Sequence, residues 1–203
     1  MEITRIENYV SGRYKIYLND EFAFVLYKGE LTKYGIKEGN TIDEQTYDDI
    51  INNLLTKRAK LRAMNLLKSR DYTEKTLKNK LKDSCYPENV INRALEYVKS
   101  YGYVDDCRYA EDYVRLNSER LSAVIIKNKL MDKGISTDII EAALRKEYDM
   151  ANDEAKIKKL ILKKCPNPGA LSFEERNRIF AFVARKGYSF DIINSVLEQF
   201  YLT

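Results

Sequence analysis

The chain has 203 residues, a formal net charge of +4 and no histidine. That length suffices for a sizeable core in one elongated domain or two small ones, while the missing histidine removes the commonest general base, the Ser-His triad and most zinc sites. Cys85, Cys107 and Cys165 are too scattered, and odd in number, for a complete disulfide framework, which fits a reducing cytoplasm.

Met1 to Tyr9 carries Glu2, Arg5 and Glu7 and so lacks the apolar centre of a secretory signal, and no apolar run approaches the ~20 residues of a membrane helix. A soluble, cytoplasmic protein is expected. From Ile3 to Tyr27 the pattern is strand-like: Tyr14, Ile16 and Leu18 form one alternating set and Phe22, Phe24 and Leu26 another, with Asn19 and Asp20 suited to the hairpin turn between them. A lone hairpin is marginal in water, so Ile3 to Tyr9 is expected to add a third strand. Gly29, Gly35 and Gly39 punctuate the polar segment that follows. Thr41-Ile42-Asp43-Glu44 then has the form of a capping box, and helix is predicted from there to the C-terminus, beginning with the stripe Tyr47, Ile50, Ile51, Leu54 and Leu55.

The helical part repeats. Leu81, Tyr86, Val90, Ile91 and Leu95 align without gaps with Leu130, Ile135, Ile139, Ile140 and Leu144, and with Val183, Tyr188, Ile192, Ile193 and Leu197, the intervals being five, four, one and four each time. Cys85, Gly134 and Gly187 occupy the turn, and Pro87, Ser136 and Ser189 open the next helix. A third helix precedes each pair, at Arg58 to Lys68, Cys107 to Asn117 and Glu154 to Lys164, giving a period of about 50 residues. Between the first two units Gly102 suits a helix C′ position, Asp105 an N-cap and Asp106 a first turn, after which Tyr109, Ala110, Tyr113, Val114 and Leu116 fall largely on one face. Cys165-Pro166-Asn167-Pro168-Gly169 interrupts the third unit as a loop, and the last helix is expected to end at Phe200 and Tyr201. The expected fold is therefore mainly α: a β-rich extension over residues 1–40, a connecting helix over 41–57, and three-helix repeats over 58–104, 105–152 and 153–203, stacked as an elongated, curved array.

Charge alternates along this series. The four blocks 1–57, 58–104, 105–152 and 153–203 carry −3, +6, −2 and +3. In the first repeat Arg58, Arg62, Arg70, Lys75, Lys78 and Lys82 are candidates for contact with nucleic acid or an acidic partner, Lys75, Lys78 and Lys82 at helical spacing. In the third, Lys156, Lys158, Lys159, Lys163, Lys164, Arg176, Arg178, Arg185 and Lys186 make a second cluster. For each lysine taken singly, a solvated surface position is the favoured reading. Sixteen tyrosines are abundant enough for some to stack on unpaired bases, though Tyr86, Tyr109, Tyr113 and Tyr188 occupy repeat core positions. Asp105, Asp106, Glu111 and Asp112 could be read as a metal site, but capping explains the first two. Cys107 is expected to be inert, because two aspartates precede it.

The three tandem units and the stretch Gly102, Tyr103, Asp105, Asp106, Arg108, Tyr109, Ala110 resemble the RecX family of bacterial RecA regulators, as do the Lys133-Gly134-Ile135-Ser136 turn and Arg70-Asp71-Tyr72-Thr73-Glu74. The resemblance covers Arg58 to the end, and the N-terminal segment looks like the extension of Firmicutes-type members. Leu121-Ser122 stands where the family usually has Gly-Pro, and the Pro-Gly insertion in the third unit is a second departure. The resemblance implies a monomeric, non-enzymatic protein without cofactor or metal. It would bind the RecA filament and single-stranded DNA, and secondarily double-stranded DNA, inhibiting ATP hydrolysis, strand exchange and co-protease activity in recombination, DNA repair and the SOS response. A helix-turn-helix regulator of transcription type, for which Asn89, Asn92 and Arg93 would be the reading residues, and a helical adaptor without affinity for DNA are the alternatives.

Overall fold

The computed structural model describes residues 1–200. It contains two compact units, Met1–Asp105 and a second beginning at Asp106.

The first unit opens with an antiparallel sheet of β1 (Ile3–Val10), β2 (Arg13–Leu18) and β3 (Glu21–Tyr27) in that order. Asn19 and Asp20 both take positive φ, 48° and 67°, as a two-residue turn requires; they are among the few side chains that tolerate it. The simple alternation expected for β3 fails at one point. Ile16 faces Phe24 but Tyr17 faces Phe22, so Ala23 is the extra residue of a bulge. Phe22 is thereby turned to solvent, where its ring meets that of Tyr17 edge-on at 5.9 Å, while Phe24 and Leu26 remain in the core.

A short helix, α1 (Lys28–Lys33), follows, and the next element corrects an expectation. Helix α2 (Glu44–Asp48) is capped by Asp43, whose carboxylate accepts the Thr46 N–H at 2.7 Å, not by Thr41. The cause is tertiary. Ile42 is buried, its N–H bonds to the Met1 carbonyl and its carbonyl accepts from the Met1 ammonium, both at 2.9 Å, while Thr41 bridges to Glu2. This strap keeps the chain extended until Asp43. From Glu44 the helix continues through a π-helical stretch (Asp49–Leu55) into α3 (Thr56–Leu67), so no break separates residue 57 from residue 58. Ile50, Ile51 and Leu55 point from the π turn into the core shared with the sheet.

Helices α4 (Glu74–Lys82) and α5 (Glu88–Ser100) complete the first repeat. The second is α6 (Asp106–Asn117), α7 (Ala123–Asp132) and α8 (Thr137–Glu147), and the third is α9 (Asp153–Lys164), α10 (Phe173–Ala184) and α11 (Phe190–Gln199). The recurring five-residue interval has a physical origin. Cys85, Gly134 and Gly187 have φ of 61°, 86° and 81°, and their N–H groups return to Lys82, Met131 and Ala184. In the first two repeats Tyr86 and Ile135 also bond back to Leu81 and Leu130, the two-bond closure that pairs apolar side chains five apart. Gly102 closes α5 the same way, with φ 68°, its own N–H bonded to the Lys99 carbonyl and the Tyr103 N–H to that of Val98. Leu81, Leu130 and Val183 are each fully buried, worth about 1.5–3 kcal/mol apiece.

Leu116 departs from its expected face: Ala110 and Val114 are buried, but Leu116, half a helical turn beyond Val114, is 73% exposed. The end expected at Phe200 and Tyr201 falls in part outside the described residues, since Tyr201 is not among them. The insertion after α9 is a loop with one 3-10 turn, Pro168–Ala170. A Cβ on Gly169 would lie 2.8 Å from the Phe200 carbonyl oxygen, so the glycine permits that close approach. At Leu121-Ser122, the Ser122 hydroxyl caps α7, accepting from Ile125 N–H at 3.3 Å, and donates to the Lys186 carbonyl at 2.6 Å. The second and third repeats are joined there.

Candidate nucleic-acid interface

Helix α4 begins at Thr73, whose hydroxyl accepts the Thr76 N–H, and this start sets the direction in which Lys75, Lys78 and Lys82 project. They do not form one free cationic stripe. Lys78 and Lys82 both reach across the turn to Glu88 on the first turn of α5, Lys82 at 3.2 Å, and the hydrogen bonds from Lys78 and Lys82 hold the Glu88 carboxyl below its ordinary range. Lys75 is exposed and has no ion-pair partner among the described residues. Exposed pairs of this kind contribute little to stability and open readily to a competing anion.

Arg58 is a clamp between helix and sheet: it pairs with Glu30, donates to the Val25 carbonyl at 3.3 Å and lies 4.6 Å from the Tyr27 ring centroid. Arg62, one turn later, is exposed and shares a cleft with Arg58 and Arg13. Arg70 covers the Tyr72 ring at 4.7 Å.

In the third repeat Lys159, Lys163 and Arg185 are exposed and Lys158 half-buried, none with an ion-pair partner among the described residues. Lys164 and Lys186 lie 5.3 and 5.6 Å from one ring, that of Phe182, which brings the basic end of α9 beside the α10–α11 turn. Lys156 does not belong to this surface. It is buried, 2.9 Å from Asp153 and 3.2 Å from the Tyr148 hydroxyl.

In the motif joining the first two repeats, Arg108 is exposed, Tyr109 half-buried and Ala110 buried. Tyr103 stacks on Tyr101 at 5.9 Å, and the Tyr101 ring lies tilted against that of Tyr97 at 5.0 Å, with Lys60 over Tyr97 at 4.7 Å. This row of rings, exposed at Tyr101 and Tyr103 and half-buried at Tyr97, was not grouped by sequence reasoning, although Tyr97 and Tyr101 stand four apart on a helix face. Glu111 pairs with Lys146 at 2.7 Å and Asp112 with Arg115 at 2.8 Å, and among the described residues no group of three cysteines or carboxylates is placed to hold a metal ion. Nor is any described helix long and apolar enough to cross a membrane.

Comparison with known proteins matches the repeats one by one. The family domains described as RecX first, second and third three-helix domain cover residues 59–97, 105–144 and 152–197. Regulatory protein RecX of Clostridium acetobutylicum is 30% identical over 98% of this chain and 96% of its own length. That of Clostridioides difficile is 30% identical over 97% and 94%. A crystal structure of regulatory protein RecX superposes with a TM-score of 0.67 at 26% identity, covering 97% of this chain and 98% of that one. RecX from Lactobacillus salivarius gives 0.65 at 26% identity over 73% of this chain.

Proposed function

Because the chain belongs to the RecX family, whose members are regulatory proteins and not enzymes, we propose that it binds RecA and its filament on single-stranded DNA and inhibits recombinase, ATPase and co-protease activities. The observation that carries this is the succession of all three RecX domains, in order, along one chain. The three repeats of residues 58–104, 105–152 and 153–203 act as its working units, as a monomer in the bacterial cytoplasm.

The basic residues supply the means. Lys158, Lys159, Lys163, Arg185 and Lys186 on the third repeat, and Lys75, Arg62 and Arg70 on the first, meet phosphate or the acidic surface of the filament. Lys78 and Lys82 join them by exchanging Glu88 for the partner's anion. Binding through these cations weakens as salt rises.

Co-sedimentation with RecA filaments assembled on single-stranded DNA tests this proposal. The protein is expected in the pellet with filaments and depleted from it at raised salt. Recovery wholly in the supernatant, at concentrations where the filament is saturated with nucleotide, would leave a helical adaptor of another partner.

A further inference from the structure

The cleft between the sheet and the first repeat draws on four elements. Arg13 comes from β2, Tyr27 from the end of β3, Arg58 and Arg62 from α3, and Cys85 and Tyr86 from the α4–α5 turn; together they enclose about 280 Å³. Three guanidinium groups thus face one hollow. Only Arg58 is matched by a carboxylate, that of Glu30, while Arg13 and Arg62 have no ion-pair partner among the described residues. The cleft therefore keeps two uncompensated positive charges.

Two tyrosines line it, Tyr27 and Tyr86, and Tyr9 adjoins Arg13. Arg13 and Lys15 lie 5.6 and 4.6 Å from the Tyr9 ring centroid, and Arg58 lies over Tyr27, which is 43% exposed. Burial raises the Tyr86 phenol pKa even though Arg58, Arg62 and Arg13 all act to lower it, so the hydroxyl is a neutral donor at the point the three cations share. The Tyr9 pKa is raised as well, chiefly by its hydrogen bond with Cys85.

Cys85 marks the place further. The other repeats use Gly134 and Gly187 at this turn, yet here a residue with a side chain takes φ 61°, a conformation costing roughly 1–2 kcal/mol outside glycine. This places a thiol in the cleft wall beside Arg13, Arg58 and Arg62.

We propose that this cleft seats a backbone phosphate of single-stranded nucleic acid, with Arg13 and Arg62 forked onto its oxygens, the Tyr86 hydroxyl donating to it, and a neighbouring unpaired base against Tyr27 or Tyr9. Guanidinium forks match phosphate geometry. The exposed Tyr27 ring and the half-buried Tyr9 ring beside them suit a base whose face is open, which duplex DNA does not offer. The assignment rests on the DNA-binding function proposed above and names where the strand is held, giving the N-terminal sheet a part in it.

Two readouts on the full chain test it. Anisotropy of a labelled oligothymidylate is expected to show binding about tenfold weaker for Arg13→Ala/Arg62→Ala, with a salt slope shallower by about 0.7 for each phosphate that the protein no longer neutralises. Lys37→Ala/Lys68→Ala, which removes the same charge outside the cleft, is expected to stay within about twofold. Separately, peptide mass spectrometry after iodoacetamide treatment is expected to show Cys85 alkylated more slowly when the oligonucleotide saturates wild type, and not in the arginine variant. Cys85 protection needs no substitution, so it decides the matter should the variant fail to fold. Wild-type affinity and slope in the arginine variant, or equal Cys85 alkylation with and without oligonucleotide, would overturn the site. Duplex DNA protecting Cys85 as well as the single strand does would overturn the single-strand assignment. Cys85 protection together with no effect on RecA would retain the cleft and remove the filament-regulating function.

Discussion

Asp153 and Lys156 offer the sharpest energetic test of the second unit. Their side chains are each 7% exposed and 2.9 Å apart, one turn apart on α9. The Tyr148 hydroxyl donates to the same Asp153 oxygen at 2.6 Å, and the Lys156 ammonium lies 4.2 Å from the Tyr148 ring centroid. Removing one member strands the other charge in the core, which costs about 3–5 kcal/mol, whereas replacing both by apolar groups of similar volume is often neutral or better. Asp153→Ala is therefore expected to lower the unfolding midpoint by at least about 12 °C, at roughly 4 °C per kcal/mol for a domain near 100 residues. Asp153→Leu/Lys156→Met is expected to recover most of the loss. Circular dichroism melts and urea titrations of wild type, both single variants and the double variant give the comparison. A single substitution costing under about 1 kcal/mol, or a double variant as unstable as the two singles summed, would refute the reasoning.

Gly187→Ala places a Cβ 2.6 Å from the Ser122 hydroxyl oxygen at a φ of +81°, so a loss of about 2–4 kcal/mol is expected in urea unfolding. Asp43→Ala is expected to lower the unfolding midpoint of the first unit by a few degrees, and Thr41→Ala to leave it nearly unchanged, because Asp43 holds the cap. The Thr46 N–H that binds Asp43 also holds its carboxyl below the ordinary range, so this contribution is present above the unfolded-state pKa and fades as pH falls through the lower, folded value. At the alkaline end, burial and then the Asp153 charge push Tyr188 up to about 12, and burial and the Asp153 hydrogen bond raise Tyr148 as well. A raised phenol pKa favours the folded state fully below pH about 10 and loses that advantage as pH climbs through the folded value. Unfolding midpoints measured from pH 9 to 12 are expected to fall, and to fall less in Tyr188→Phe.

What the sequence disclosed follows from how local each feature is. The repeat was legible because a left-handed turn residue closes the helix and pairs apolar side chains five apart, a geometry contained within six residues. The turn at Asn19 and Asp20 was legible for the same reason. Thr41 misled because the cap was decided by Met1, about forty positions away, holding Ile42 extended. Phe22 was misassigned because a bulge at Ala23 reverses which face it takes.

The candidate site divides the same way. Clusters of basic residues were visible, but not their partners: an Asp and a Lys three apart look like an ordinary solvent pair, and only Tyr148 reveals that Lys156 lies in the core. Lys78 and Lys82 were correctly placed on one face, yet the facing residue Glu88 sits across the turn. The arginine cleft was beyond reach of pattern, since Arg13, Arg62 and Cys85 approach only after the sheet packs on α3.

RecA ATP hydrolysis on single-stranded DNA is the most direct measurement, with this protein added well below the RecA concentration and Lys159→Gln/Lys163→Gln/Arg185→Gln beside it. A filament regulator predicts strong inhibition by wild type and weaker inhibition by the variant. Undiminished hydrolysis with wild-type protein, together with no binding to DNA or filament, would contradict the account.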